Sequence, residues 1–191
     1  MKTPDWSGLR PTSDKLRETL FNVLGSRIDA ARVLDGYAGT GAVGIEALSR
    51  GAAQVTFVDT DARAIRFIEA NLRHCGLTDR HAIIRVDFVR AAQRLAGVGP
   101  FDIVFLDPPY GLDEGEMAAA LATAAAIVAG DGEVVIEHVK RNAPPARAGA
   151  LVLTRDLLSG DSGLAFYRKQ APRHAQDRET AGNSPPHGRR E

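Results

Sequence analysis

Short apolar runs alternate along the chain with longer segments whose apolar residues recur every three or four positions. The run at 101–106 has Ile103, Val104 and Phe105 at consecutive positions, which is typical of a strand buried on both faces. This alternation predicts a doubly wound α/β sheet. Predicted strands cover 32–35, 54–59, 81–87, 101–106 and 133–139, and predicted helices cover 12–24, a segment from a glycine loop to about 50, 61–75, 88–95 and 114–128.

The C-terminal pattern differs from the rest. Segments 150–158 and 163–168 are strand-like and are separated only by Ser-Gly-Asp-Ser, which predicts a hairpin and therefore an antiparallel edge to the sheet. Residues 142–148 carry two prolines and are predicted to form a loop. Residues 171–191 offer almost nothing to bury, so we expect one domain over 1–170 followed by a disordered polar tail.

Composition narrows the possible classes of protein. The 191 residues include 24 Lys and Arg against 24 Asp and Glu, so any surface for nucleic acid must be a local patch. The single cysteine, Cys75, excludes an internal disulfide and a cysteine-based zinc site. No apolar stretch approaches membrane-spanning length, and the N-terminus lacks the apolar core of a signal peptide. We expect a cytoplasmic monomer without a metal ion.

A strand-end motif suggests chemistry on an amine. Asp107-Pro108-Pro109-Tyr110 follows the predicted strand at 101–106, and two prolines cannot continue a central strand. The turn therefore lies at the carboxyl end, where open α/β sheets bind ligands. Asp107 and the Pro108 carbonyl can accept the two hydrogens of an exocyclic amine while Tyr110 stacks on the ring, which is catalysis by positioning.

A glycine loop predicts a nucleotide-like ligand. Gly39-Thr40-Gly41-Ala42-Val43-Gly44 matches G-x-G-x-x-G between a predicted strand and a predicted helix, and Asp59 ends the next strand. The glycines permit close backbone approach, and Asp59 can accept hydrogen bonds from ribose hydroxyls. The same pattern also describes a nicotinamide-binding site.

Two further acids favour S-adenosylmethionine over a dinucleotide. Asp35 lies four residues before Gly39, where a carboxylate would repel a pyrophosphate and favour a cationic amine and sulfonium. Asp87 ends the third predicted strand and can take an adenine amino group. Four acids therefore end four successive strands, which are Asp35, Asp59, Asp87 and Asp107.

The chain resembles the RsmD-type 16S rRNA guanine-N2 methyltransferases. Three segments carry the resemblance: Leu-Arg-Pro-Thr-Ser-Asp-Lys-Leu-Arg-Glu-Thr-Leu-Phe-Asn-Val-Leu at 9–24, Asp-Gly-Tyr-Ala-Gly-Thr-Gly-Ala-Val-Gly-Ile-Glu-Ala-Leu-Ser-Arg-Gly-Ala at 35–52, and Asp-Pro-Pro-Tyr at 107–110. The likeness runs from about residue 9 to 168. It departs from the family at the N-terminus, where members usually begin with a short basic strand and Met1 here starts after it. Either the true start lies upstream or part of an RNA-contacting edge is lost, so the resemblance supports cofactor binding more strongly than substrate binding.

The resemblance implies a fold, a reaction and a set of site residues. The implied fold is the Rossmann-like class I S-adenosylmethionine-dependent methyltransferase fold, with a mostly parallel seven-stranded sheet and an antiparallel C-terminal edge hairpin. The implied substrate is a guanine N2 amine of 16S rRNA in the assembled small ribosomal subunit. The catalytic set is Asp107, Pro108, Pro109 and Tyr110, and the cofactor set is Thr12, Asp35, Ala38, Gly39, Gly41, Asp59, Thr60, Asp87 and Phe88.

RNA contact is expected at a basic cluster on the first helix, formed by Arg10, Lys15 and Arg17, although a solvated helix face is the simpler interpretation of these cations alone. Three other functions fit parts of the pattern. A DNA adenine-N6 or cytosine-N4 methyltransferase would also use Asp-Pro-Pro-Tyr, but no second domain is present to read a DNA sequence. The others are a nicotinamide-dependent oxidoreductase and a non-catalytic RNA-binding assembly factor.

Overall fold

A central sheet with helices on both faces organises the chain, as seen in a computed structural model that describes residues 14–109 and 112–170. The helices are α1 (Asp14–Leu24), α2 (Ala42–Ser49), α3 (Ala62–His74), α4 (Ala92–Ala96) and α5 (Glu114–Ile127), with a 3-10 turn at Gly25–Ile28 after α1. The strands are β1 (Arg32–Gly36), β2 (Gln54–Asp59), β3 (His81–Arg85), β4 (Phe101–Leu106), β5 (Val128–Val139), β6 (Arg147–Ala148), β7 (Leu151–Ser159) and β8 (Ser162–Lys169).

The strand order is β3-β2-β1-β4-β5-β8-β7-β6. Strands β1 to β5 are parallel, whereas β8, β7 and β6 continue the sheet in antiparallel fashion. The order reverses between β1 and β4, which leaves a crevice at their carboxyl ends. In open sheets of this kind ligands bind at such a reversal.

Two hydrophobic cores lie on opposite faces of the sheet. Because successive residues of a strand point to opposite faces, Val33 packs with α1, α2 and α3, while its neighbour Leu34 packs with α4 and α5. Both side chains are buried, as are the flanking β4 residues Ile103 and Val104. The central strands are therefore apolar on both faces, as the consecutive apolar residues predict.

The predicted α/β sheet with an antiparallel edge hairpin is confirmed, but three details differ. The described part of the sheet has eight strands rather than seven, because the two-residue β6 after Pro145 is too short to leave a pattern. Strand β5 begins at Val128, five residues before the predicted start at Glu133. The third difference is the segment between β3 and α4, because β3 already ends at Arg85 and α4 covers Ala92–Ala96 instead of 88–95.

The early start of β5 has a local cause. The register with β4 shifts between Phe101 and Ile103, so β5 passes Gly130 and Gly132 without leaving the sheet. A Cβ on Gly132 would lie 2.8 Å from the Asp102 carbonyl oxygen. The glycine therefore permits a close approach of two strands at a place where its sequence context suggests a turn.

Several predictions fall on residues outside 14–109 and 112–170. These are the roles of Arg10, Thr12 and Tyr110 and the disordered tail at 171–191. In the part of the chain that is described, no helix has the length and apolar character needed to cross a membrane.

Candidate active site

A cavity of about 860 Å³ opens at the carboxyl ends of β1 to β4. This volume falls in the range of small-molecule sites. The four strand-end acids Asp35, Asp59, Asp87 and Asp107 all line it, although they are far apart in the sequence. The expectation that parallel strands bring these carboxylates to one rim therefore agrees with the geometry.

The glycine loop forms one wall of the cavity through Ala38, Gly39 and Thr40. The Ala38 amide donates to the Val58 carbonyl at 2.9 Å, and the Gly41 amide donates to the Ala38 carbonyl at 2.7 Å. Gly39 and Gly41 have φ angles of +54° and +77°, a region that favours glycine. Gly41 is absent from the described lining, and a Cβ on it would meet Ile68 and Phe57, so Gly41 supports the turn from beneath.

Asp59 ties the end of β2 to the glycine loop. Its Oδ2 accepts a hydrogen bond from the Gly39 amide at 2.9 Å, and its Oδ1 accepts one from the Asp61 amide at 2.8 Å. Thr60, which follows, is exposed and also lines the cavity. A ligand hydroxyl at this wall would therefore find a carboxylate held in a fixed orientation.

Asp35 lies deeper, beneath the loop, and is only 2% exposed. Its Oδ2 accepts a hydrogen bond from the Gly44 amide of α2 at 2.8 Å. Burial raises the pKa of Asp35 to about 7, the Gly44 hydrogen bond opposes that rise, and the charge of Asp59 adds to it. The carboxyl group is thus poised to titrate near neutral pH, and a nearby cation would favour its ionised form.

The far wall combines Asp87 with two aromatic rings. Asp87 Oδ1 accepts a hydrogen bond from the Arg90 amide at 2.9 Å. The Phe88 ring is buried and lies 5.6 Å from the ring centroid of Tyr37 at an interplanar angle of 51°. Burial, followed by the charges of Asp87 and Glu116, raises the pKa of Tyr37 to about 12. Tyr37 therefore remains a neutral phenol that can donate a hydrogen bond.

Sequence reasoning missed several side chains that line the cavity, among them Tyr37, Arg90 and Glu116. Tyr37 lies inside the glycine-loop segment, between Gly36 and Ala38, and that position could have identified it. Neither Arg90 nor Glu116 directly follows a predicted strand, so the strand-end pattern does not identify them. Glu116 takes part in a capping box with Asp113 at the start of α5, and that pattern predicts a helix terminus rather than a site.

The double-proline corner forms the remaining wall. Asp107, Pro108 and Pro109 line the cavity, and the Asp107 amide donates to the Gly36 carbonyl at 3.3 Å, which fixes the corner against β1. Asp107 is half-buried, Pro108 is buried and Pro109 is exposed. A flat group placed here would contact a carboxylate and a proline carbonyl together.

The two described members of the predicted RNA-binding cluster differ in their surroundings. The Arg17 Nε donates to Glu46 of α2 at 2.7 Å, and its Nη2 donates to Asp14 at 2.8 Å. Arg17 therefore links α1 to α2, whereas Lys15 is exposed. Within the described ranges, no group of three or more His, Cys, Asp or Glu side chains has an arrangement that could hold a metal ion.

Known proteins resemble this chain over nearly its whole length. The family model described as conserved hypothetical protein 95 matches residues 1–168. Bacillus subtilis (strain 168) YlbH, named as a candidate rRNA methyltransferase, is 38% identical over 174 residues, which is 89% of this chain and 93% of that protein. Ribosomal RNA small subunit methyltransferase D of Escherichia coli (strain K12) is 35% identical over 172 residues, or 90% of this chain and 85% of that one.

A solved Escherichia coli structure, named as the candidate methyltransferase yhhF, has a TM-score of 0.72 and 33% identity, covering 90% of this chain and 92% of that chain. The fold is accordingly that of the class I methyltransferases. The matched residues include the glycine loop, the strand-end acids and the double-proline corner. The chain belongs to the RsmD family, whose model is described as conserved hypothetical protein 95.

Proposed function

We propose that the protein uses S-adenosylmethionine to methylate the exocyclic N2 amine of a guanine in small-subunit rRNA, acting on the assembled subunit. One observation carries the proposal: a single cavity contains the three carboxylates of β1 to β3 and also Asp107, Pro108 and Pro109. The three carboxylates suit a cationic nucleoside, and the double-proline corner suits an exocyclic amine. The name of the Escherichia coli relative, ribosomal RNA small subunit methyltransferase D, supports the choice of RNA.

The residues that line the cavity fit S-adenosylmethionine in charge and in chemistry. Asp35 and the loop at Ala38 and Gly39 would hold the cationic methionine part, since a buried carboxylate attracts a cation. Asp59, with Thr60 beside it, would accept hydrogen bonds from the ribose hydroxyls. When bound, the cofactor supplies an electrophilic methyl group on a sulfonium sulfur.

The adenine would lie at the wall formed by Asp87 and Phe88. The Asp87 carboxylate can accept from the adenine amino group, and the Phe88 backbone supplies a second polar contact. A dinucleotide suits the same cavity less well, because its pyrophosphate would lie beside the Asp35 carboxylate.

The double-proline corner would orient the guanine. Asp107 and the Pro108 carbonyl accept the two N2 hydrogens, which directs the nitrogen lone pair at the methyl carbon. After the amine nitrogen has taken the methyl group, the Asp107 carboxylate would accept the proton that the nitrogen loses. A strong base is unnecessary because the amine becomes acidic once it is alkylated. Tyr110 is proposed to stack on the guanine base. The base must first flip out of the RNA helix to reach the cavity.

Transfer of a tritiated methyl group tests the proposal. Purified protein is incubated with labelled S-adenosylmethionine and with small ribosomal subunits, naked 16S rRNA or DNA in separate reactions. We expect label in the subunits, and digestion to nucleosides should yield N2-methylguanosine. Label on DNA alone would instead support an adenine-N6 or cytosine-N4 methyltransferase.

Calorimetry tests the cofactor independently of the substrate. We expect heat of binding with S-adenosylmethionine and none with NAD. Binding of NAD alone would support an oxidoreductase and contradict the proposal. Binding of S-adenosylmethionine without transfer to any nucleic acid would favour a non-catalytic assembly factor.

A further inference from the structure

Two consecutive cations follow β5, beside a depression that the double-proline corner also lines. Strand β5 ends at Val139, and the chain then turns through Lys140 and Arg141 to Asn142. Val139 and Asn142 line a small depression together with Asp107, Pro108 and Pro109. Lys140 and Arg141, which we call the β5 cations, are thus flanked on both sides by residues that share a surface with the catalytic corner.

The backbone of this turn is held in place on two sides. The Asn142 amide donates to the Val139 carbonyl at 2.9 Å, and the Lys140 amide donates to the carbonyl of Asp161 in the β7–β8 turn at 2.8 Å. Both β5 cations are nevertheless exposed. A fixed backbone with exposed cationic side chains can bind a rigid anion with little loss of backbone entropy.

Unlike the arginines that link helices or cap them, the β5 cations form no ion pair with a described carboxylate. Arg17, Arg50 and Arg63 each form an ion pair with a nearby carboxylate, whereas no described carboxylate forms one with Lys140 or Arg141. An unpaired cation need not give up an internal ion pair when it binds a phosphate. The β5 cations are therefore better suited to an external anion than Arg17.

Charge is unevenly distributed around the two sides of β4. The side of β1 to β3 presents Asp35, Asp59 and Asp87, and Arg90 is the single cation among the described residues that line the main cavity. This acidic lining disfavours a polyanion, whereas the turn after β5 carries two exposed cations. Since the chain has equal numbers of basic and acidic residues, attraction to a polyanion must arise from such a local patch.

We propose that Lys140 and Arg141 bind backbone phosphates of the RNA strand that carries the target base. This inference rests on the proposed function and adds the surface along which the RNA leaves the double-proline corner. Contacts of this kind position the strand and add affinity without reading sequence. The predicted RNA-binding cluster of the first helix would then be supplemented or replaced by the turn after β5.

The test is a double variant, Lys140→Ala with Arg141→Ala, in the full chain. Its matched control is Arg73→Ala with Arg94→Ala, which removes the same charge from exposed positions in the last turns of α3 and α4, at the opposite end of the strands. Filter binding to naked 16S rRNA is measured over a range of salt concentrations, and S-adenosylmethionine affinity is measured by calorimetry.

We expect the β5 double variant to bind rRNA about tenfold more weakly, with the slope of log K against log salt reduced by about 1.5, since each lost phosphate contact contributes roughly 0.7–0.9. The control variant should match the wild type in affinity and slope, and both variants should bind S-adenosylmethionine normally. Equal rRNA binding and slope for the wild type and the β5 variant would overturn the inference.

Two outcomes separate this inference from the proposed function. If the wild type transfers no methyl group to RNA, the proposed function fails, yet the salt-dependent binding assay still decides whether the β5 cations contact RNA phosphates. If the β5 variant binds naked rRNA with the affinity and salt slope of the wild type, the inference is wrong, even where methyl transfer to subunits confirms the proposed function.

Discussion

The Asp35 carboxyl group couples the protonation state of the cavity to protein stability. Its folded-state pKa of about 7 lies above the ordinary value of 3.8. Between these two pH values the folded protein keeps a proton on Asp35 that the unfolded chain has lost. The stabilisation from this proton is fully present below about pH 4 and is lost as the pH rises through 7. A shift of this size corresponds to roughly 4 kcal/mol as an upper bound.

We expect Asp35→Asn to stabilise the unliganded protein at pH 8 by about 2–4 kcal/mol, because an amide oxygen can still accept from Gly44 without the cost of a buried charge. Urea unfolding at pH 5, 6.5 and 8 measures the effect. The difference in unfolding free energy between variant and wild type should grow with pH. A difference that stays constant across the three values would show that Asp35 does not titrate in this window.

Asp107 is the residue on which turnover should depend most. Replacing it with Asn leaves a side chain of similar shape but removes the negative charge that we propose accepts the amine hydrogens and the final proton. We expect Asp107→Asn to lower kcat by roughly 10²–10³-fold. Affinity for S-adenosylmethionine should change by less than about threefold, because the proposed cofactor contacts lie on β1 to β3.

Asp131→Asn is the matched control for that measurement, since Asp131 is exposed near the start of β5, at the other end of the strand from the corner. Its kcat should equal that of the wild type. Methyl transfer at the wild-type rate by Asp107→Asn would mean that another group orients the amine.

At the scale of elements, the contact between α2 and β2 leaves no room for a side chain at Gly44. A Cβ there would lie 2.3 Å from Phe57 Cε1 and 2.8 Å from Val55 Cγ1. The close approach sets the start of α2, and therefore the glycine loop and the amide that donates to Asp35. The third glycine of the motif thus acts through packing between a helix and a strand.

We expect Gly44→Ala to destabilise the protein by about 1–3 kcal/mol through overpacking, measured as a lower urea midpoint. Gly130→Ala serves as the control, because a Cβ there meets nothing within 4 Å. The control should remain within about 0.5 kcal/mol of the wild type. Equal midpoints for both variants would show that α2 can shift away from β2 without cost.

Elements with a dense apolar pattern were predictable, and those shaped by tertiary contacts were not. The bounds predicted for β2 and β4 match the structure because each strand is a mainly apolar segment that ends at or just before an aspartate. The start of β5 was missed because Gly130 and Gly132 resemble a turn, although the register shift against β4 keeps them in the sheet. In the site, strand-end acids were predictable from topology, whereas Glu116 reaches the cavity from a helix terminus.

For the whole molecule, ligand binding and pH should act together on thermal stability. A cation held near Asp35 binds best to the ionised carboxylate, so affinity should rise as pH increases toward 7 and then level off. At a concentration about 100 times Kd, S-adenosylmethionine should add about 2.7 kcal/mol of stability, equivalent to a rise in Tm of roughly 5–10 °C.

Differential scanning fluorimetry at pH 6 and pH 8, with a fixed concentration of S-adenosylmethionine or NAD, measures this effect. The rise in Tm with S-adenosylmethionine should be larger at pH 8, and NAD should produce none. In Asp35→Asn the rise should be smaller and the same at both pH values. A larger rise in the wild-type Tm at pH 6 than at pH 8 would contradict the binding of a cation beside Asp35.

Each carboxylate oxygen of Asp59 accepts one hydrogen bond from a backbone amide, one from Gly39 and one from Asp61. A carboxylate has about four acceptor sites, so two remain directed outward. A ligand with two adjacent hydroxyl groups can therefore bind here without rotation of the Asp59 side chain. Because this acceptor is oriented before the ligand binds, little conformational entropy should be lost at Asp59 on binding.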